Sequence, residues 1–338
     1  MTKMIKLVAS LTVLIVLCAC GGGGSADSST GFRQSYTTSA AVGEVIDYVV
    51  DTITNTYEYT VRISEYGCDV PSSSCHSGSG TLTRNDDGSY TPSGASSTRL
   101  YMIQNGLLIG NIQITPNQPK VPIVGVTNPA TTGADMAGSY NFVSFQCPTK
   151  GSQSFAGCAS HIGTVKVTAT STNTAAYTTC ENDDIDKAST SCTSTTQGVL
   201  TYTGTSGVWQ MVSNGSTAKS YMVALNAPNG QKVGFLDFND PNVYGYGQAA
   251  ISTKTAFVPA DRQTIAGRWF SSNLATGLTG VITINADGTS SEGPAPTPNL
   301  PWDGFATYAD GGVSLLAGTG LFVYTKPGNK QYIVGMKM

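Results

Sequence analysis

Tyr57-Glu58-Tyr59-Thr60-Val61-Arg62-Ile63-Ser64 decides the fold class. Large or β-branched side chains alternate with polar ones, and successive side chains of a strand point to opposite faces, so the segment predicts a half-buried antiparallel strand. Working outward from it, the same kind of run recurs down to Met338. Short stretches rich in Val, Ile, Thr, Tyr and Phe are separated by Gly, Asn, Asp and Pro, with almost no helical periodicity. An all-β chain of antiparallel meanders is expected, arranged as small barrels or as packed sheets.

The runs recur in order, which predicts three related units. The first opens with Tyr59 to Tyr66, passes Cys68 and Cys75, resumes at Gly80 to Thr83 and turns at Asn85-Asp86-Asp87-Gly88. The second opens with Tyr140 to Phe145, passes Cys147 and Cys158, resumes at Gly163 to Val167 and turns near Asn173. The third opens with Arg268 to Ser271, resumes at Gly280 to Ile284 and turns at Asn285-Ala286-Asp287-Gly288. Each closes with a hairpin turning at Asn105-Gly106, Asn229-Gly230 or Gly328-Asn329, dipeptides that supply the positive φ of two-residue turns. Gly110, Gly234 and Gly335 in the returning strands imply a bulge or a close backbone approach. The units are placed at 31–130, 131–259 and 260–338, with enough strands in the second for a seven- or eight-stranded barrel.

Residues 1–19 read as a signal peptide: Lys3 and Lys6, then an apolar run from Leu7 to Leu17, far short of the ~20 residues that span a bilayer. Leu17-Cys18-Ala19-Cys20 resembles the bacterial lipobox, with Cys18 where a smaller residue is usual. The resemblance implies cleavage before Cys20, diacylglycerol on its thiol and a further acyl chain, of the palmitate class, on its amine. More than one chain makes a stable anchor. Residues 20–30 follow as a lipidated Gly/Ser tether. By the same resemblance, Gly21 rather than Asp after the cysteine implies an outer-membrane lipoprotein, facing either the periplasm or the cell surface.

Composition bounds the partners. Loss of Lys3 and Lys6 with the signal moves the formal charge from −3 to −5, so the body has no basic footprint for nucleic acid. Charged residues are 12% of the chain, against a usual quarter, and hydroxyls and amides carry the solubility instead. The cysteines beyond Cys20 fall into local pairs in a chain expected in an oxidising compartment. Disulfides Cys68–Cys75, Cys147–Cys158 and Cys180–Cys192 are therefore expected.

Gly138-Ser139-Tyr140 and Gly267-Arg268-Trp269, each opening a unit, resemble the Gly-x-Trp start of lipocalin-like barrels, with Tyr140 in place of Trp. That resemblance implies meander barrels.

Chemistry-bearing residues are sparse. There is no Gly-x-Ser-x-Gly elbow, no phosphate-cradling Gly-rich loop followed by Lys, and no His-Glu-x-x-His. His76 and His161 each follow the second cysteine of a loop and are expected to be solvated. Asn182, Asp183, Asp184 and Asp186 place several oxygens within the Cys180–Cys192 loop, as Ca²⁺ requires; a solvated acidic hairpin is the alternative. Asp237, Asn239 and Asp240 form a weaker cluster expected at a turn. Trp302, Tyr244 and Tyr246 lie beside Pro, Asn and Asp, where an aromatic ring either anchors a ligand or partner or plugs a loop. The expectation is a non-catalytic envelope lipoprotein that binds a glycan, a small apolar ligand or a protein. The alternatives are a structural lipoprotein of an envelope assembly and an enzyme of unrecognised type.

Overall fold

Thr37, Thr38, Ser39 and Ala40 pair antiparallel with Val126, Gly125, Val124 and Ile123, and this pairing closes the first barrel of a computed structural model. The structure describes residues 31–41, 43–64, 77–95, 98–102, 106–112, 120–147, 158–187, 192, 194–226, 231–238, 247–258, 263, 265–274, 277–291, 293–317, 320–326 and 331–338. Outside them lie the signal, Cys20 and its tether, Cys68, Cys75, His76, Asn105, Asn229 and Gly230, Asn239 and Asp240, Tyr244, Tyr246, and Gly328 and Asn329. Among the described residues no helix is long and apolar enough to cross a membrane.

The first barrel runs through β1 (Arg33–Ala40), β2 (Glu44–Asp51), β3 (Thr56–Ile63), β4 (Ser77–Arg84), β5 (Tyr90–Pro92), β6 (Arg99–Met102), β7 (Leu107–Ile112) and β8 (Val121–Val126), each paired to the next. After α1 (Gly133–Met136), a second closed barrel follows: β9 (Gly138–Gln146), β10 (Ala159–Ala169), β11 (Thr174–Glu181), β12 (Gln197–Tyr202), β13 (Val208–Ser213), β14 (Lys219–Asn226), β15 (Lys232–Phe238) and β16 (Gly247–Thr253). The third sheet has seven strands: β17 (Gly267–Asn273), β18 (Thr279–Ile284), β19 (Thr297–Pro298), β20 (Phe305–Thr307), β21 (Val313–Ala317), β22 (Leu321–Thr325) and β23 (Tyr332–Lys337).

One plan underlies all three sheets. The first strand of each pairs with both the second and the last: β1 with β2 and β8, β9 with β10 and β16, β17 with β18 and β23. Matched in this way, β3 corresponds to β11, so the connection carrying Cys68 and Cys75 corresponds to the one carrying Cys192. The strand correspondence read from the sequence is therefore shifted by two: Tyr59 lies on the third strand of a module whose first strand opens at Arg33, inside the unit placed at 31–130. Among the described residues the third sheet has no counterpart of β3 and β11. There, Ser290 makes single bridges to Ile284 and Gly293, and Pro294, Pro296 and Pro298 follow. Proline has no N–H to donate to a ladder, so no full strand forms and this sheet stays open between β18 and β19.

Side-chain alternation divides the core. On β9, Tyr140 joins the cluster inside the second barrel, while Val143 and Phe145 face outward into a larger cluster shared with the first barrel and the third sheet. The modules also share polar contacts. The Gly247 amide donates to Ala41 O at 3.0 Å, Gln248 Nε2 to Ser39 Oγ at 3.1 Å, and Tyr332 Oη to Gln248 Oε1 at 3.4 Å. Asp237 lies in this junction, on a strand rather than in the expected turn, and is fully buried. Burial pushes its carboxyl well above the usual range; Ser39, the Ala40 amide and Gln248 pull the other way. None of them meets hydrogen-bond geometry with either carboxylate oxygen.

The in-strand glycines mark close approaches. A Cβ on Gly335 would stand 2.0 Å from Phe322 Cε1, and these two residues are direct cross-strand partners. Phe142 opposite Gly163, Tyr177 opposite Gly198, and Tyr59 opposite Gly78 repeat the pairing, each ring lying where the glycine's side chain would be. Gly110 is confined differently, by Arg99 O at 2.3 Å, and Gly234 faces Ile251 Cγ1 at 3.0 Å.

Candidate functional site

The second barrel is closed at one end. Thr132 caps α1, accepting from the Asp135 amide at 3.1 Å, and the Asp135 carboxylate accepts from the Thr132 amide at 3.1 Å. Tyr140 Oη donates to Met136 O at 2.7 Å, and Trp209 Nε1 donates to Ala130 O at 2.8 Å. These bonds hold α1 and its flanks against the start of β9. Trp269 repeats the device in the third sheet, donating from Nε1 to Ile265 O at 2.8 Å.

At the opposite end β9, β11, β13 and β15 finish, whereas at the α1 end the partly buried ring against the inner cluster is Tyr202, beside Trp209. Phe142, Met211 and Phe238 pack against the inner cluster yet are only partly buried. By alternation, Ser144, His161, Gly163, Glu181 and Ser213 share that inner face. Tyr177 Oη and Ser213 Oγ are 2.8 Å apart, and His161 Nδ1 is hydrogen-bonded to Glu181 Oε1. His161 therefore sits on β10 as part of a polar rim, not in a solvated loop. Ser144 lies directly across the strand pair from His161, and the partner fixed on that imidazole is Glu181. Two disulfides bracket this end: Cys147–Cys158 ties the end of β9 to the approach of β10, and Cys180–Cys192 ties β11 to the approach of β12.

The acidic segment after Glu181 does not gather around a metal. Lys254 Nζ donates to Asp184 Oδ1 at 2.5 Å and to Asp186 Oδ2 at 3.3 Å, and Asp184 is buried. Asp183 instead caps the Asp184 amide at 2.7 Å, and Asn182 adopts a left-handed turn at φ 57°. Among the described residues no three His, Cys, Asp or Glu side chains are grouped to hold a metal ion. The cation that Asp184 and Asp186 hold among the described residues is the chain's own ammonium. Burial by itself lowers the Lys254 pKa, but the hydrogen bond and charge of Asp184, then those of Asp186, outweigh it and leave the amine raised. The strap is pinned further by Thr164, whose hydroxyl donates to Asp183 O and accepts from the Ile185 amide.

Trp302 is a plug and not an exposed anchor. It is 7% exposed, Nε1 donates to Asn141 Oδ1 at 2.8 Å, and Asn141 Nδ2 donates to Asp303 O at 2.7 Å. Asn85 to Gly88 and Asn285 to Gly288 are hairpin turns as expected: Gly88 and Gly288 hold φ of 85° and 86°, and Asp87 and Asp287 each cap the residue two places on. Sequence reading missed the pairing of Lys254 with the acidic strap and the strand position of His161. The usable signal for His161 was its alternation with Gly163, Val165 and Val167.

No family model matches the chain, and no curated protein matches it significantly. Among solved structures, a protein of unknown function from the DUF3598 family of Nostoc punctiforme is similar at 10% identity. The match covers 66% of this chain and 94% of that one, with a TM-score of 0.25.

Proposed function

We propose that this chain is an envelope-anchored binding lipoprotein whose second barrel takes a small ligand, apolar in its body and polar at one end, through the mouth opposite α1. The observation that carries this reading is the partial exposure of Phe142, Met211 and Phe238 on the inner face of a barrel closed at its other end. Apolar side chains facing an accessible interior, with a few convergent polar groups, are the usual make-up of a small-ligand site. The His161–Glu181 pair and the Tyr177 and Ser213 hydroxyls supply the polar end. Support for the lipocalin-like resemblance comes from Tyr140 and Trp269, each bonded to the carbonyl four residues before it. The lipid on Cys20 would hold the body at the outer membrane, where apolar small molecules partition.

The test is titration of the mature chain with an environment-sensitive apolar fluorophore such as N-phenyl-1-naphthylamine. Wild type should enhance and saturate its emission, and Met211→Glu should weaken binding at least five-fold. Equal binding by the variant, or none by wild type, overturns the site. For the anchor, Cys20→Ser should abolish fatty-acid labelling and move the protein out of the membrane fraction; persistent labelling overturns the lipobox reading.

A further inference from the structure

A cavity lies outside both barrel interiors. It is a cleft of about 460 Å³ between the barrels, within the ~300–1,000 Å³ of small-molecule sites. The outer face of β1, β2 and β3 forms its floor, and Pro129 and Ser206 of the second module form its wall.

Asp47 organises this cleft. Its carboxylate accepts from Arg62 Nε at 2.7 Å, from Ser206 Oγ at 3.0 Å and from Thr37 Oγ1 at 3.2 Å. Two modules thus meet on one carboxylate. Ser206 is held at φ 48°, a left-handed conformation that a non-glycine residue adopts only at a cost. The adjoining Gly207, at φ 72°, is pressed so closely on Pro129 that a Cβ would stand 2.1 Å from the ring. The wall is therefore rigid, and its strained turn is retained where its hydroxyl crosses the junction.

Asp47 engages only Nε of Arg62, so the guanidinium is oriented while its two terminal nitrogens have no hydrogen bond among the described residues. Arg62 is 27% exposed in its side chain. Thr127 also lines the cleft, while its Oγ1 is buried, with no hydrogen-bond partner among the described residues. The charges in the lining are Asp47, Glu58 and Arg62, so the balance is negative by one and an incoming anion meets two carboxylates. A fixed donor fork and acceptor carboxylates, with Pro129 and Val49 as apolar faces, match the alternating O–H and C–H surface of a sugar. We propose that the cleft between the barrels binds an uncharged saccharide of one or two rings, its vicinal hydroxyls bridging Arg62 and Asp47. This site is independent of the barrel mouth and takes ligands of the opposite polarity.

The experiment is saturation-transfer NMR on the mature chain. The panel comprises maltose, cellobiose, trehalose and chitobiose, a uronic disaccharide, and a short oligolysine. At least one uncharged disaccharide should receive saturation at millimolar concentration. That transfer should fall at least ten-fold in Val49→Trp, which fills the cleft while keeping the Asp47 carboxylate, and in Arg62→Leu; melting curves establish that each variant folds. Should one misfold, the other decides. No transfer to any uncharged disaccharide, equal transfer in the folded variants, or stronger transfer to the uronate or the oligolysine each overturns the proposal. Loss of fluorophore binding at the mouth leaves this outcome unchanged.

Discussion

Replacing Lys254 by Met removes the ammonium that faces the buried Asp184. At 2.5 Å and an effective dielectric of about 20, the gross attraction is ~7 kcal/mol before desolvation. Removing one partner of a buried pair typically costs ~3–5 kcal/mol, because the other charge stays behind. Asp184 is 4% exposed in its side chain and Lys254 14%, and Asp186 is the more solvated partner at 33%; the lower end, about 3 kcal/mol, applies. In a chain of this size that is a fall in melting midpoint of about 5 °C if the modules melt together. The assay is calorimetry at pH 7 on wild type, Lys254→Met and Lys254→Met/Asp184→Asn, in which the second change removes the stranded charge and should restore most of the loss. The sign with pH follows from the raised amine. The pair's contribution is complete below the unfolded lysine value of about 10.4 and disappears as pH rises through the folded one. Millimolar Ca²⁺ against chelator should leave the wild-type midpoint unmoved, since an ammonium already fills the position. A Lys254→Met midpoint within 1 °C of wild type would refute this reasoning.

Asp237→Asn should flatten the pH dependence of stability. A carboxyl raised by burial binds its proton more tightly folded than unfolded, so wild-type stability falls as pH climbs from ~4 through the folded value, and the variant's advantage should be larger at pH 8 than at pH 5; an equal difference at both would count against it. Gly335→Ala should cost ~1–3 kcal/mol by overpacking Phe322, and Gly335→Ala/Phe322→Leu should cost less than the two single changes added together; strict additivity in denaturant melts would contradict the ring contact. Cys180→Ser/Cys192→Ser should lose about 3 kcal/mol of loop-closure stabilisation, and unreduced peptide maps should link Cys147 to Cys158, Cys180 to Cys192 and, as the sequence leads us to expect, Cys68 to Cys75.

Local structure was more legible than its placement. Alternation identified Thr56–Ile63 as a strand, and Asn-x-Asp-Gly identified two turns whose hydrogen bonds are nearly the same. Those two turns nevertheless sit at different points of the barrel plan, and matching them shifted the first module's strand correspondence by two. The strands ahead of Tyr59 escaped notice because β1 is rich in Ser and Thr. Its Thr37 and Ser39 are buried against the other modules, so neither face looks apolar. The acidic segment looked like a cation site because it is one. Its cation comes from a lysine 70 positions along the chain, a distance no local pattern encodes.

The glycine–ring pairs have a consequence for descent. Where Phe322 lies across Gly335, Tyr177 across Gly198 and Phe142 across Gly163, the ring is not an independent character. A side chain acquired at the glycine displaces the ring, and a ring lost leaves bare main chain at an inner face. Gly335, confined by Phe322 alone, should therefore be exchanged together with its ring, whereas Gly163 and Gly198 also meet the Cys180 and Val212 carbonyls and should persist even where the ring is lost. Double absences at Phe322 and Gly335, with Gly163 and Gly198 retained, would trace the barrel plan through lineages whose remaining residues have diverged past recognition.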